Sequence, residues 1–419
     1  MKSLAAMAAP LLLSLLASAQ TAPKATTVPI TLDHNRTIID VYLPLPDGQT
    51  KRVRAWVDNG NTELWITEDL ANKLALALSG DPQPALFGKQ RVVQPPANLQ
   101  IGGTNISLAG VHDAKAILGR ESVAPGCSAE ITLPSTVLRN YDVLFDFPDR
   151  QFTIGPPGSI SFRGADARIL LDPNSGFIQV PSKIYAQDFN LALDLGASIT
   201  LLSADQIAQW HKAQPSLPYR IGGVGAGNMW GTAEETRWPL LRIPNIQFGS
   251  TTLINVAAAG FPEEEFQWFQ KRAGLPTLGL IGANALVADR VGIDYAHTTL
   301  YLEPTAHGSA PDMDVVGLTL RPGPDRRYTI VSVADYQGKP SVPDVQPGDF
   351  LLAVDGAPAT GATMGQVWSL LRGAPGQTRT LTLERQSKRF TVDAPVRRFL
   401  PLTPASPTRS PRRNPHRRN

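Results

Sequence analysis

At 419 residues, with 42% apolar and 18% charged side chains, the chain can bury two or three cores and is neither a disordered polymer nor a membrane bundle. Its 35 glycines and 37 prolines punctuate short runs of Val, Ile, Leu and Thr, the composition of a mainly β protein. The formal charge is +3, but Arg409, Arg412, Arg413, Arg417 and Arg418 all fall in the final segment; without them the rest carries −2, so no basic domain face is left for nucleic acid.

The first stretch, MKSLAAMAAPLLLSLLASAQ, sets one lysine before a short apolar segment and ends in Ala17-Ser18-Ala19, a small-x-small cleavage pattern. Residues 1–19 read as a signal peptide, and the mature chain as exported, periplasmic or secreted. Its other apolar runs fall short of the roughly 20 residues that a transmembrane span needs. Cys127, the single cysteine, excludes an internal disulfide and sits in no pattern that would make it a nucleophile.

Residues 28–156 form a first predicted lobe. Within it VRAWVDNGNTELWITED (53–69) runs as an apolar strand, Asp58, Gly60, the hydroxyl of Thr62, a second apolar strand, and Asp69 at the start of a short helix. A second lobe, residues 160–304, repeats this order in FNLALDLGASITLLS (189–203) with Asp194, Gly196 and Ser198, followed by Asp205. NLQIGGTNISLAGV (from Asn98) parallels NIQFGSTTLINV (from Asn245), both hairpins turning at glycine, and VLFDFPDRQFTI (from Val143) parallels VGIDYAHTTLYL (from Val291). The offset stays near about 140 to 150 residues, which implies two similar lobes about a pseudo-two-fold axis where the two aspartates meet.

Two carboxylates that meet share one proton, and such a pair can activate a water with one member and polarise a carbonyl with the other. Gly60 and Gly196 would let the backbone turn tightly and bring N–H groups to the acids, with Thr62 and Ser198 stiffening the loops. Either D-x-G alone is an ordinary turn; two in matched contexts point to a site. The paired D-x-G-x-[ST] motifs resemble the retropepsin-like aspartic peptidases, in particular single-chain bacterial members, and LGLIGANALVADRVGIDYAHTTLYLEP (278–304) resembles that family's apolar-apolar-Gly segment at Ile281-Gly282. The resemblance implies a two-lobed acid-protease β-barrel fold, catalytic roles for Asp58 and Asp194, a peptide or protein substrate, and no cofactor. The chain departs from the family where threonine usually follows each acid, carrying Asn59 and Leu195, and where lobe one reads Leu133-Pro134. Asn59 can bond across the axis; Leu195 cannot. The glycines of IGGVGAGNMWGT (221–232), Gly225 and Gly227 among them, with Trp230, are the candidate flap over a substrate.

Residues 312–397 resemble a bacterial PDZ domain, most specifically through QPGDFLLAVDG and RGAPGQTRTLTLER. That likeness implies a peptide-binding element at Gly317, Leu318, Thr319 and Leu320, where a C-terminal peptide would add as a strand, with RPGPDRR (321–327) interrupting the edge. Residues 364–372 read as its main helix, with Val367, Leu370 and Leu371 on the core face. The last segment, 398–419, reads as a basic disordered tail able to touch anionic lipid or envelope polymer. The six histidines form no metal motif, and His34 and His211 read as surface residues. The expected function is an exported aspartic-type endopeptidase with a recruiting PDZ domain. The alternative is an inactive peptide-binding protein on the same scaffold.

Overall fold

The structure is a computed structural model that describes residues 24–403 apart from 86–87, 265–266, 268–269, 272–276, 288 and 305–311. The segments read as a signal peptide and as the arginine tail beyond residue 403 lie outside the described residues. Strands dominate, and the fold is mainly β, with two lobes built on one plan.

In lobe one the strand Thr50–Asp58 runs antiparallel to Arg36–Pro44 and parallel to Ile131–Pro134, with Pro134 opposite Asp58. In lobe two Gln187–Asp194 runs antiparallel to Ile178–Ile184 and parallel to Gly279–Gly282, with Gly282 opposite Asp194. Each acid therefore ends a central strand whose C-terminal edge is closed by a parallel neighbour. After each acid the chain turns and returns as Leu64–Thr67 or Thr200–Ser203, and a helix follows at once: Glu68–Lys73 capped by Thr67, Ala204–Ala213 capped by Ser203. The hydroxyl at the strand end accepts from the N–H three residues on, which is why a strand can become a helix there without a linker. The expected hairpins form at Gly102-Gly103 and Gly249, all three in the left-handed region that glycine permits.

The lobes share a six-stranded sheet. Its central pair joins Asp142–Asp146 of lobe one to Arg290–Asp294 of lobe two, antiparallel, with Asp142 opposite Asp294 and Leu144 opposite Gly292. Thr26–Pro29 lies at one edge and Ala165–Arg168 at the other. One apolar core runs beneath both lobes and includes Val57, Leu133, Leu193, Leu195 and Ile281.

The third unit has a sheet in the order Leu318–Pro322, Tyr328–Val333, Phe350–Val354, Thr378–Arg385, Lys388–Pro395. Its helix Met364–Leu371 is closed by a capping box between Thr363 and Gln366 and turns Val367 and Leu371 inward. Asp349 of the QPGD turn is buried and takes Arg385 on both oxygens at 2.7 and 2.8 Å. The segment 323–327 joins the first two strands as a hairpin loop; it extends the edge strand and does not interrupt it. Order continues past the expected start of the tail: Leu400 is fully buried, with its carbonyl accepting from Arg242, and Thr403 bonds Asn255.

Candidate active site

Asp58 and Asp194 meet at the junction of the lobes, 5% and 8% exposed. Each acid lies against the glycine of the other lobe's motif. A Cβ placed on Gly60 would overlap the Asp194 carboxyl group, and one on Gly196 would overlap Asp58 Oδ1 while standing 3.1 Å from Asp194 Oδ1. The chain turns at both glycines without a positive φ, and the space above each is taken by the facing carboxylate, a further reason for glycine there.

The acid of lobe two is held by its own loop. Asp194 Oδ1 accepts from the N–H groups of Gly196 at 2.8 Å and Ala197 at 3.0 Å. Burial nevertheless pushes its pKa up to about 6, against those two bonds and the more distant positive charge of Arg36. A carboxyl titrating there can hold a proton in weakly acidic solution, which ordinary aspartate cannot.

Asn59 supplies the link across the axis. Its Nδ2 donates to Leu193 O at 2.7 Å, and its Oδ1 accepts from Leu195 N at 2.8 Å. Leu195 meanwhile turns into the common core. Beneath the loops, Ser135 N donates to Asn61 O at 2.8 Å and Ala283 N to Ala197 O at 2.9 Å, so Leu133-Pro134 and Ile281-Gly282 support the two motifs in the same way. The proline is tolerated because it falls at the strand end, where the chain enters the short helix Ser135–Leu138.

Both motif hydroxyl residues are tied to neighbouring elements. Ser198 Oγ lies 3.3 Å from His34 Nδ1, and Ser198 O accepts from Asn35 Nδ2 at 3.0 Å. At Thr62 the main-chain carbonyl accepts from Thr136.

Three residues that sequence reasoning passed over thus reach the site. His34 and Asn35 form a two-residue hairpin turn, both with positive φ, that carries lobe one onto the Asp194 loop. His34 is buried, contrary to the surface position expected for it, and burial with the charge of Arg36 holds its pKa down to about 3. Arg36 is buried as well; its guanidinium lies over the Trp56 ring and donates to Met229 O. The D-H-N-R run between two short apolar strands was the available signal, since Asn favours the left-handed turn. His211 is half-buried and stacks on Tyr219. Cys127 is buried, and its thiol is pushed up to about 11 by burial first, which leaves it unreactive.

The candidate flap and the candidate peptide-binding strand prove to be partners of one another. Gly225 and Gly227 lie in a buried turn of the long connection between Tyr219–Ile221 and Pro239–Phe248, and Trp230 is half-buried between two apolar clusters. Leu320 N donates to Asn228 Oδ1 at 2.7 Å, Leu320 O accepts from Asn228 Nδ2 at 3.1 Å, and Thr319 Oγ1 donates to Gly223 O at 2.6 Å. Leu318 N is taken by Val316 O and Gly317 O by Ala334 N. A hairpin of lobe one, Leu78–Ala85 with Gly88–Val93, stands exposed at the edge of its sheet. Among the described residues no group of three His, Cys, Asp or Glu side chains is placed to hold a metal ion, and no helix is long and apolar enough to cross a membrane.

No family model matches the chain, and no curated protein matches it. Among solved structures it is similar to the crystal structure of an aspartic proteinase from Irpex lacteus, at 14% identity and a TM-score of 0.38, over 69% of this chain and 99% of that one.

Proposed function

We propose that the chain is an aspartic-type endopeptidase in which Asp58 and Asp194 act as one acid-base pair. The observation that carries this reading is reciprocal: each acid occupies the space over the other lobe's glycine, so both carboxylates address the same point. With one proton on the pair, the ionised member takes a proton from a water, and the water oxygen attacks the amide carbon. The protonated member donates to the carbonyl oxygen, and collapse of the tetrahedral species breaks the C–N bond as the nitrogen is protonated. The raised pKa of Asp194 makes it a natural holder of that proton. Residues 1–19 fit an export signal, and residues 312–397 a PDZ-type peptide-binding domain.

Cleavage of a random peptide library between pH 3 and pH 8 tests the assignment. Turnover by the wild type that is lost in Asp58→Asn and in Asp194→Asn supports it; turnover that survives either change refutes the dyad. A second reading, a peptide-binding protein without turnover, is favoured by the burial of both acids and by Leu195 in place of a hydroxyl. In that case peptides bind and are recovered whole at every pH.

A further inference from the structure

The long connection of lobe two, residues 222–238, is braced from within by one carboxylate. Glu235 is buried and accepts from Trp230 N at 2.6 Å, Gly231 N at 3.1 Å and Asn228 Nδ2 at 2.7 Å, while its carbonyl takes Gly223 N. So braced, the segment packs against the Asp194 loop and beside the lobe-one strand that ends in Asp58. Val224 and Ala226 share a cluster with Ala197 and Ile199 just after Asp194, Met229 O takes Arg36, and Trp230 packs in the cluster of Trp56, two residues before Asp58.

Its other face belongs to the third unit. There the strand Leu318–Pro322 is the last of its sheet, and its open edge faces the helix Met364–Leu371 across a groove lined by Leu318, Leu320, Met364 and Leu371. The carboxamide of Asn228 satisfies both main-chain groups of Leu320, as the next strand of a sheet would. Gly225 and Gly231 allow the approach: a Cβ on Gly231 would stand 2.6 Å from Leu320 O, and one on Gly225 would overlap Asp312 O. Together with His34, these residues leave a cavity of only about 10 Å³ in the groove, too small for a side chain.

We propose that residues 223–231 are a lid over the two acids, held shut because the third unit has taken the lid into its own peptide groove, and that an extended peptide with an apolar side chain entering that groove releases it. The same edge N–H and C=O groups serve lid and ligand, so the two compete. A ligand that binds only the opened groove shifts the population toward exposed acids. The third unit is on this view an allosteric latch as well as a binding module. The substrate half of the proposal rests on the peptidase reading; the opening of the lid does not.

The test uses the full chain and two readouts that need no turnover: carbodiimide-driven coupling of glycinamide to Asp58 and Asp194, located by peptide mass spectrometry, and amide exchange across residues 222–238. Asn228→Ala removes the bonds to Leu320 together with the one to Glu235, whereas Thr319→Val, close in shape, removes only the latch bond to Gly223 O and so separates the latch from the brace. Expected is a rise of about tenfold or more in both coupling and exchange in either folded variant. In the wild type, an excess of N-acetylated random hexapeptides ending in leucine with a free carboxylate should do the same. Exchange that rises while coupling to the acids does not would overturn the lid. Variants that open the acids while the hexapeptides leave them closed would overturn the ligand. A chain that opens on schedule but cleaves nothing would refute the peptidase reading alone.

Discussion

Asn59 holds Leu195 from the opposite lobe, its carboxamide bracketing the second motif by bonding the N–H of Leu195 and the carbonyl of Leu193. One side chain thus makes both cross-axis bonds, and the residue at the matching position of lobe two is released to pack as core. Asn59→Ala leaves two buried main-chain groups unpaired. It should lower stability by about 3 kcal/mol, from roughly 1–3 kcal/mol for each group. Urea denaturation checks this, and an unchanged midpoint would show the bracket to be dispensable.

Gly60→Ala and Gly196→Ala each drive a methyl group into the carboxylate of the other lobe. The acids must then shift by an ångström or more, and cleavage should fall by about 100-fold, the scale on which small misplacements act. Circular dichroism should stay native, because both positions have φ values open to alanine. Retained turnover in either variant would mean that the carboxylates do not face one another in solution.

The shift at Asp194 carries a sign. Its folded pKa of about 6 stands above the unfolded value near 3.8, so between those values the folded state binds the extra proton. Stability from this group is greatest below that window and declines as pH rises through it, by up to about 3 kcal/mol. Asp194→Asn should flatten that part of the curve, read as the difference between thermal unfolding of variant and wild type at pH 4 and pH 7. Glu235, pushed up to about 7 by burial, slopes the same way in both proteins and cancels in the difference.

Arg242 and Asp312 form a buried ion pair at 3.1 Å where the third unit joins lobe two, and the same arginine bonds the carbonyls of Asn255 and Leu400. Arg242→Met leaves Asp312 with Asn284 but without its cation. The loss should be about 3–5 kcal/mol, and residues 312–400 should become the first target of limited proteolysis. Cleavage that still begins elsewhere would show that the joint does not depend on the pair.

Glu235→Gln replaces one of two accepting oxygens by a donor that faces N–H groups of Trp230 or of Asn228 and Gly231. Stability should drop by about 1–3 kcal/mol, and exchange should quicken first in residues 222–238. Equal protection in variant and wild type would remove Glu235 as the brace.

What could be read in the residues was whatever repeats. The acids, their glycines, the hydroxyl caps Thr67 and Ser203 and the paired hairpins all occur twice in one order, and the duplication implied the axis on which the acids meet. His34, Asn35 and Arg36 occur once, in a turn whose hydrogen-bond partners Ser198 and Met229 lie more than 160 residues away, so no local pattern marked them as buried. Asn228 and Leu320 likewise meet across 92 positions. Each segment suggested a partner from outside, and only the packing revealed that they satisfy one another. The turn at each glycine was legible, but its second reason, the space taken by the facing carboxylate, was not, because that carboxylate belongs to the other lobe.

The shared sheet also governs the order of assembly. Asp142–Asp146 has lobe-two residues as its neighbour on one side, and Thr26–Pro29 waits for Gln151–Gly155 on the other. Synthesis from the N-terminus therefore completes lobe one with an open edge, which stays unpaired until residues 290–294 emerge. Pairings of such long separation close slowly. The pairing that closes this edge is centred on Leu144 opposite Gly292. The duplicated architecture that builds the site thus leaves lobe one with an unpaired strand edge until lobe two has been made.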